Sequence, residues 1–338
     1  MKPLVIPIFI SHQGCPHRCI FCDQDTITGH TGAEEQPVTP EEVKKIIEQW
    51  LRRPRKVKKQ RVQVAFYGGS FTGLPLQRQQ ELLKSVQPYV GNGEVDCLRI
   101  STRPDYVDDT IISLLKEYSV GIVELGVQSL HQDVLTASVR GHSVRQSEDA
   151  LRLLKTNGFV VGAQLMCGLP GDNYARLMAT ARKTVELGPD FVRIYPALVI
   201  QGSGLEKIYR EGKYKPLSLA RAVALSCRMK TIFDEHNIRV VRMGLQPSRE
   251  LAEKVVAGPY HPAFGELVMA RNLFQKTKKI LHEKRSVPLK QLHIAAADES
   301  VFRGPDNISM SKLTALGLLE NIEVIFDKDQ ARHTVLVC

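Results

Sequence analysis

The stretch GCPHRCIFCDQ, residues 14–24, places three cysteines within eight residues and follows an apolar run, residues 5–10, that is typical of a first strand. Its spacing, C-x3-C-x2-C, supplies three thiolates from one short loop, and a cubic iron–sulfur cluster can take three cysteines and leave one iron open for chemistry. Clusters that only carry electrons usually take four cysteines. The other cysteines are scattered along the chain, at Cys97, Cys167, Cys227 and Cys338. The spacing therefore predicts an open [4Fe–4S] cluster bound by Cys15, Cys19 and Cys22.

Zinc is the alternative occupant of this loop. Cys19 and Cys22 have the spacing of zinc-finger ligands, and His12 or His17 would supply nitrogen ligands. Because the spacing alone fits either metal, both alternatives stay open at this point. Gly14 and the proline and basic residues after it predict an exposed loop, which argues against a chance group of buried thiols.

Apolar, β-branched runs alternate with helix-length periodic segments up to residue 243, the pattern of a parallel sheet with crossover helices. The predicted strands are residues 4–11, 62–67, 97–102, 121–127, 159–166 and 191–199, with 238–243 as a candidate seventh. Helices are predicted to begin near Pro40, Gln77, Asp108, Arg145 and Tyr174, with a further helix at 220–235. The pattern predicts the α/β class, as a partial (β/α)6 TIM-like barrel.

The inward faces of these strands are polar, unlike the Val, Ile and Leu side chains that fill a complete barrel. Period-two alternation places Arg99 and Ser101 on one side of the third strand, Glu124 on the fourth, and Arg193 and Tyr195 on the sixth. Buried polar groups cost free energy unless they are paired or line a wet cavity. We therefore expect a cavity lining together with an internal ion-pair network, for instance between Glu124 and Arg193.

Four further motifs follow successive predicted strands: YGGSF at 67–71, STRPD at 101–105, LGVQS at 125–129 and GLPG at 168–171. The cysteine triplet, with Phe21 just before its last member and these motifs after it in this order, resembles the radical S-adenosylmethionine (SAM) enzymes. It is similar in particular to the radical SAM part of the Elongator catalytic subunit and, more distantly, to the oxygen-independent coproporphyrinogen oxidases. The resemblance covers residues 1–245.

The resemblance implies two cofactors, a [4Fe–4S] cluster and SAM, with SAM bound to the open iron through its amino and carboxylate groups. One electron from the reduced cluster would cleave SAM to methionine and a 5′-deoxyadenosyl radical, which abstracts hydrogen from a substrate. It also implies an external reductant such as flavodoxin or ferredoxin.

The resemblance further implies which residues bind SAM. These are Phe21, Gly68, Gly69, Ser70, Ser101, Gln128, Arg140, Gln164, Gly168 and Tyr195. Arg140 matches an arginine that pairs with the methionyl carboxylate, and Gln128 and Gln164 match residues that bind the ribose. Ser70 and Ser101 stand where related enzymes often carry an acidic side chain, so that at Ser70 only the backbone contact to the amino group carries over.

Residues 1–245 form the predicted core barrel, and residues 246–338 form a C-terminal α+β extension that ends in two strand-like runs, 321–327 and 334–338. His261 and Glu266 in the extension are candidate substrate groups at the barrel opening. The residues after the barrel are too few for the acetyltransferase domain of the Elongator subunit. Acetyl transfer to the wobble uridine of tRNA is therefore not part of the expectation.

The composition, 43% apolar and 24% charged, is that of an ordinary globular protein. No apolar run reaches the length of a membrane span and no signal-peptide pattern precedes the first strand, so we expect a cytoplasmic protein without a membrane partner. The formal net charge of +10 permits an anionic partner such as tRNA. Of two basic stretches, 52–61 would lie opposite the chemistry, and 276–290 is the favoured contact region.

Three functions follow from these observations. The first is a radical SAM enzyme that acts on tRNA or another anionic substrate, and the second is the same chemistry on a small metabolite, as in tetrapyrrole synthesis. The third, from another class, is a non-catalytic zinc-binding module. Iron with acid-labile sulfide would exclude the third, and steeply salt-dependent tRNA binding would argue against the second.

Overall fold

The computed structural model describes residues 3–10, 13–15, 19–22, 37–54, 60–285 and 289–338. Seven strands form one sheet in the order β1-β2-β3-β4-β5-β6-β8, in which neighbouring strands are parallel. They are β1 (Leu4–Phe9), β2 (Val62–Tyr67), β3 (Cys97–Thr102), β4 (Val120–Gln128), β5 (Val160–Cys167), β6 (Phe191–Pro196) and β8 (Arg239–Met243). Within the described residues β1 and β8 are the two edges, so the barrel is open. The predicted partial barrel is confirmed, and the candidate seventh strand completes its sheet.

Helices cover this sheet and begin where local signals place them. They are α1 (Pro40–Leu51), α2 (Leu76–Gly91), α3 (Asp109–Glu117), α4 (Gln132–Ala137), α5 (Val144–Thr156), α6 (Tyr174–Leu187), α7 (Gly204–Arg210) and α8 (Leu219–Glu235). Thr39 and Glu42 form a capping box at α1, and the side chains of Asp108 and Asn173 accept backbone N–H bonds at the starts of α3 and α6. Gly188 ends α6 in the left-handed conformation, at φ 62°.

The main hydrophobic core lies between the sheet and its helices. Strand side chains such as Ile8, Phe66 and Ile100 are fully buried there against helix residues such as Leu82 and Leu83. Because successive side chains alternate, the polar residues between them point into the open half-barrel. The C-terminal ends of the parallel strands meet at one rim, which we call the mouth.

The C-terminal part of the chain adds a second, smaller core. The remaining elements begin with a two-stranded ribbon of β7 (Val199–Ile200) and β9 (Val255–Ala257). Four helices follow β8: α9 (Arg249–Lys254), α10 (Phe264–Glu283), α11 (Glu299–Arg303) and α12 (Ile308–Ala315). A three-stranded sheet contains β10 (Gln291–Ala295), β11 (Glu323–Asp327) and β12 (Val335–Val337). Leu273, Leu281, Leu292 and Phe302 belong to the hydrophobic cluster of this second core. The two final strand-like runs are confirmed as β11 and β12, whereas a domain boundary at residue 245 stays a prediction. No helix in the described ranges is both long and apolar enough to span a membrane.

Candidate active site

The start of the cysteine loop packs directly against the loop that follows β2. Gly14 has φ +71°, and a Cβ atom there would lie 2.1 Å from the Ser70 carbonyl oxygen. A Cβ on Gly73 would lie 2.1 Å from the Gly14 oxygen, and the Ser70 N–H donates to the Gln13 carbonyl at 3.0 Å. No side chain fits between these two backbones, so both glycines are required by the contact.

Two backbone hydrogen bonds fix the middle of the cysteine loop. The Ile20 N–H donates to the Ser138 carbonyl at 3.2 Å, and the Leu205 N–H donates to the Ile20 carbonyl at 2.6 Å. The Cys22 N–H closes a turn on the Cys19 carbonyl at 3.0 Å. Ser138 follows α4 and Leu205 lies in α7, so the segments after β4 and β6 both hold the loop at the mouth.

The thiols of this loop lie in an electropositive setting. Cys19 is buried, and Arg140 donates from Nη1 to its Sγ at 3.2 Å. Burial raises the pKa of the Cys15 thiol, and the Arg140 and Arg103 charges oppose that rise. The described residues hold no group of three or more His, Cys, Asp or Glu side chains at metal-binding spacing, so the three-cysteine ligand set stays a prediction. The alternative zinc ligands His12 and His17 lie outside the described residues.

The glycine pair after β2 packs directly on the cysteine loop. A Cβ on Gly69 would lie 2.5 Å from the Gln13 carbonyl oxygen and 2.7 Å from that of Ile10. The Ser70 side chain points elsewhere, since its Oγ is 3.0 Å from Thr102 Oγ1 and accepts from the Arg103 N–H at 3.3 Å. Ser70 therefore ties β2 to β3 through its side chain, while its N–H donates to Gln13 and its carbonyl accepts from the Gly73 N–H at 2.9 Å, so a contact of Ser70 with SAM stays a prediction.

Arg140 is anchored by a second arginine, Arg103 of the STRPD motif, to which the sequence analysis gave no such role. Arg103, at the end of β3, donates from Nη1 to the Arg140 carbonyl at 2.7 Å and holds Asp105 with Nε and Nη2 at 3.0 and 2.8 Å. Burial would raise the pKa of Asp105, but the Arg103 bonds outweigh this and hold it below its usual range. Arg140 in turn donates from Nη2 to the Gly126 carbonyl at 2.7 Å. The STRPD motif thus supports the arginine that contacts the cysteine loop.

Several buried polar atoms at the mouth have no partner within the described chain. They are Ser101 Oγ, Arg140 Nε and both ring nitrogens of His142, which approaches the Val127 backbone without reaching the geometry of a full hydrogen bond. His142 is only 3% exposed, and burial together with the nearby Arg140 charge lowers its pKa to about 3. Buried polar groups are rarely left unpaired, so these atoms indicate a ligand site. The sequence signal for His142 was a polar residue between Arg140 and the cap of α5, which we did not interpret.

The polar interior below the mouth is an ion-pair network centred on Glu124, which is fully buried. Its carboxylate accepts from Arg99 Nε at 2.6 Å and from Arg193 Nη2 at 3.0 Å, and it accepts from Tyr67 Oη and Gln164 Nε2, each at 3.2 Å. The expected pairing of Glu124 with Arg193 is confirmed. Burial raises the pKa of the Tyr67 hydroxyl, and the Glu124 charge adds to the rise, so the tyrosine stays neutral.

The other predicted SAM residues fall around the same mouth. Gln128 is 8% exposed with φ +64°, a conformation uncommon for a side-chain-bearing residue and concentrated at functional sites. The Gln164 side chain donates a hydrogen bond to Glu124. Tyr195 lies beside Arg193, and its hydroxyl oxygen is 3.5 Å from Arg193 Nη1.

Phe21 and Gly168 belong to the opposite wall of the mouth. Phe21 packs against Val134, Leu169 and Ala197. Gly168 has φ +80° and its carbonyl accepts from the Tyr214 hydroxyl at 2.6 Å. The structure thus brings the predicted residues to one rim, and their contacts with SAM stay predictions.

A family model for the radical SAM superfamily matches residues 9–184, which is more than half of the chain. The chain belongs to the radical SAM superfamily. A model for the radical SAM C-terminal domain matches residues 189–275. A [4Fe–4S] cluster and SAM are the cofactors of this superfamily, so the membership favours the iron–sulfur alternative over zinc.

Among curated proteins, an uncharacterised protein of Methanocaldococcus jannaschii is 30% identical over 67% of this chain and 70% of its own length. The tRNA uridine(34) acetyltransferase of the same organism is 27% identical over 78% of this chain, and Elongator complex protein 3 of Homo sapiens is 26% identical over 79%. The matched residues span 54% and 55% of those two proteins. The predicted resemblance to the Elongator catalytic subunit is confirmed.

Solved structures show the same fold. The archaeal Elp3 of Methanocaldococcus infernus superposes with a TM-score of 0.61 at 23% identity, over 86% of this chain and 65% of that one. Coproporphyrinogen III oxidase from Escherichia coli superposes with a TM-score of 0.50 at 17% identity, over 70% of this chain and 53% of that one.

The residues at the mouth fit the cofactors of the radical SAM superfamily. Three thiols come from one loop, as an open cluster requires. The guanidinium of Arg140 lies against one of them and keeps Nε free among the described residues. Arginine is suited to bind a carboxylate such as that of SAM, because its donors match the two oxygens.

Proposed function

We propose that this radical SAM enzyme modifies tRNA, with its reaction centre at the mouth of the half-barrel. The location of the reaction centre rests on a set of buried, unpartnered donors and acceptors beside the cysteine loop. They are Ser101 Oγ, Arg140 Nε and the His142 ring. The tRNA substrate is supported by the relatives named as tRNA uridine(34) acetyltransferases, which match 78% of this chain. The protein would work in the cytoplasm with an electron donor such as flavodoxin or ferredoxin.

In this proposal Cys15, Cys19 and Cys22 hold the cluster, which supplies one electron for the reductive cleavage of SAM. Arg140 binds and orients the methionyl carboxylate, while the backbone at Gly69 offers its polar groups to the amino group. The chain itself excludes water on one side through an apolar wall. This wall is formed by Phe21, Val134, Leu169 and Ala197.

Arg140 has two further tasks that follow from its contacts. Its charge opposes the rise in the Cys15 pKa and therefore favours the thiolate that a metal requires. Its Nη2 bond to the Gly126 carbonyl fixes the guanidinium plane before any ligand arrives. A Cβ on Gly126 would lie 2.6 Å from that nitrogen, so a side chain here would displace the guanidinium. The site is thus preorganised by backbone contacts.

The test is anaerobic iron–sulfur reconstitution of the wild type and Cys19→Ala, with Cys97→Ala as the matched control at the opposite end of β3. We expect the cluster absorbance and SAM cleavage in the wild type and in the control, and neither in Cys19→Ala. Wild-type protein that gains no iron and sulfide would contradict the cluster assignment.

The substrate is tested separately by incubating the reconstituted enzyme with unmodified tRNA in deuterated buffer. We expect tRNA to raise deoxyadenosine formation above its RNA-free rate, and we expect a changed nucleoside after digestion. SAM cleavage that ignores tRNA but responds to a small metabolite would support the second function given above, radical chemistry on a metabolite.

A further inference from the structure

Residues 204–221, here called the basic segment, cover the mouth next to the cysteine loop. The segment comprises α7, a connecting loop and the first turn of α8. A Cβ on Gly204 would lie 2.9 Å from Ile20 Cγ1, and the Leu205 N–H donates to the Ile20 carbonyl at 2.6 Å. Farther along, the Tyr214 hydroxyl donates to the Gly168 carbonyl at 2.6 Å. The segment is therefore fixed against two loops of the proposed reaction centre.

The basic segment carries more positive charge than its own acids can neutralise. It contains five Lys or Arg and two Glu residues, a net charge of +3. The basic residues are Lys207, Arg210, Lys213, Lys215 and Arg221, and all five are exposed. Arg210 pairs with Glu206 and Lys213 with Glu211. No ion pair between described residues involves the other three.

The described residues of the second basic stretch, 276–285 and 289–290, lie beyond the far end of α8 from the mouth. Helix α10 runs beside α8 in the same direction: Phe264 packs on Ala222 near the start of α8, and Lys276 reaches Asp234 in its last turn at 3.6 Å. A helix of the length of α8, 17 residues, spans about 25 Å at 1.5 Å per residue. Residues 276–285 and 289–290 therefore lie about one helix length from the mouth, and Lys276 and Lys279 are already paired.

We propose that the basic segment binds the phosphate backbone of the RNA substrate and guides a nucleotide into the mouth. This rests on the proposed function, which supplies the RNA. Lysine and arginine side chains on a fixed support bind phosphates without reading sequence, and their placement sets the position of the nucleic acid. An RNA that brings a base to the cysteine loop would pass the basic segment with Lys207, Lys215 and Arg221, whereas residues 276–285 and 289–290 lie about one helix length, about 25 Å, from that loop.

The experiment compares two triple variants, each of which removes three cations that form no ion pair with another described residue. The first is Lys207→Gln/Lys215→Gln/Arg221→Gln, and the matched control is Lys278→Gln/Lys284→Gln/Arg285→Gln on and after α10. Equilibrium binding of an unmodified tRNA transcript to the reconstituted enzyme is measured over a range of salt concentrations. Each phosphate that the protein no longer neutralises lowers the slope of log affinity against log salt by about one. We expect the first variant to bind at least about tenfold more weakly, with a slope lower by about two to three, and the control to change by less than about threefold.

A larger loss in the control variant, or equal losses in both, would overturn the assignment of the basic segment. SAM cleavage without RNA, measured on the same preparations, is expected to be unchanged in both variants and shows that the folds and reaction centres are intact. If the wild type cleaves SAM but does not bind tRNA at low salt, the proposal of an RNA substrate is wrong, and the proposed role of the basic segment is wrong as well. If the wild type binds tRNA and the first variant binds equally well, only the surface is wrong.

Discussion

The interior of the half-barrel contains two groups of buried polar residues that differ in how they are satisfied. In the first group, the Glu124 carboxylate is paired with Arg99 and Arg193 and accepts two further hydrogen bonds. In the second group, at the mouth, Ser101 Oγ, Arg140 Nε and the His142 ring have no partner among the described residues. Both groups cost desolvation free energy, and among the described residues the first group recovers most of it through its ion pairs and hydrogen bonds. The first group is therefore scaffolding, and the second is the part of the barrel that a ligand completes.

The sharpest way to break this comparison is to neutralise Glu124. In Glu124→Gln the shape is kept, but Arg99 and Arg193 lose the only carboxylate that the structure pairs with either of them in the described chain. Removing one partner of a buried ion pair typically costs about 3–5 kcal/mol, so we expect that loss in the free energy of unfolding. Urea denaturation of the SAM-free protein measures it. The exposed pair of Arg249 with Glu253 supplies the control, since Glu253→Gln should change stability by less than about 0.5 kcal/mol. A loss below about 1 kcal/mol in Glu124→Gln would show that the network is not scaffolding.

Arg103 connects the two groups. Its own hydrogen bonds are made within the chain, as in the first group, but one of them holds Arg140 of the second group. Arg103→Gln leaves the Asp105 carboxylate and the Arg140 carbonyl without their donors, which should cost about 2–3 kcal/mol of unfolding free energy. We also expect SAM to bind about tenfold more weakly, equivalent to about 1.4 kcal/mol, as Arg140 loses its anchor. Urea denaturation and equilibrium SAM binding to the reconstituted enzyme measure the two effects.

The matched control for Arg103 is the double variant Arg103→Gln/Asp105→Asn, which removes the unpaired carboxylate as well. It should recover part of the stability but none of the SAM affinity, because the Arg140 carbonyl still lacks its donor. Recovery of both would show that Arg103 acts through Asp105 rather than through Arg140.

The strands and the order of the mouth motifs could be predicted from sequence because both are local patterns. The run at 62–67 and the run at 97–102 agree with β2 and β3 at both ends, since apolar side chains alternate and turn residues follow. The first predicted strand, residues 4–11, extends past β1, which ends at Phe9; Ile10 follows the strand, and Ser11 lies outside the described residues. Strand boundaries depend on hydrogen bonds to neighbours, which a single sequence does not contain.

The support of Arg140 could not be predicted, because its partners are distant in sequence. Arg103 and the Arg140 carbonyl are 37 residues apart, and Arg140 and Cys19 are 121 residues apart. The basic segment escaped the charge analysis for a similar reason: its charges alternate with Glu206 and Glu211, and only the contact of α7 with Ile20 places it at the mouth. Gly69 was interpreted as a ligand contact and Gly14 as part of an exposed loop, whereas both glycines are required by backbone packing.

His142 gives the smallest and most specific test of the second group. Its pKa is lowered to about 3 by burial and by Arg140, against about 6.5 in an unfolded chain. Between these two values the unfolded state binds one more proton than the folded state, so the folded state loses stability as the pH falls. From pH 6.5 to pH 5.5 this loss amounts to about 1 kcal/mol. His142→Phe removes the titrating group, so the difference in unfolding free energy between wild type and variant should shift by that amount.

The His142 measurement uses urea denaturation of the SAM-free proteins at a series of pH values. His236→Asn, at an exposed histidine just after α8, serves as the control over the same pH series. A difference between wild type and His142→Phe that stays flat with pH would mean that the folded protein protonates the ring and pairs it. His142 would then belong with the satisfied residues around Glu124, and the ligand-completed part of the mouth would shrink to Ser101 and Arg140.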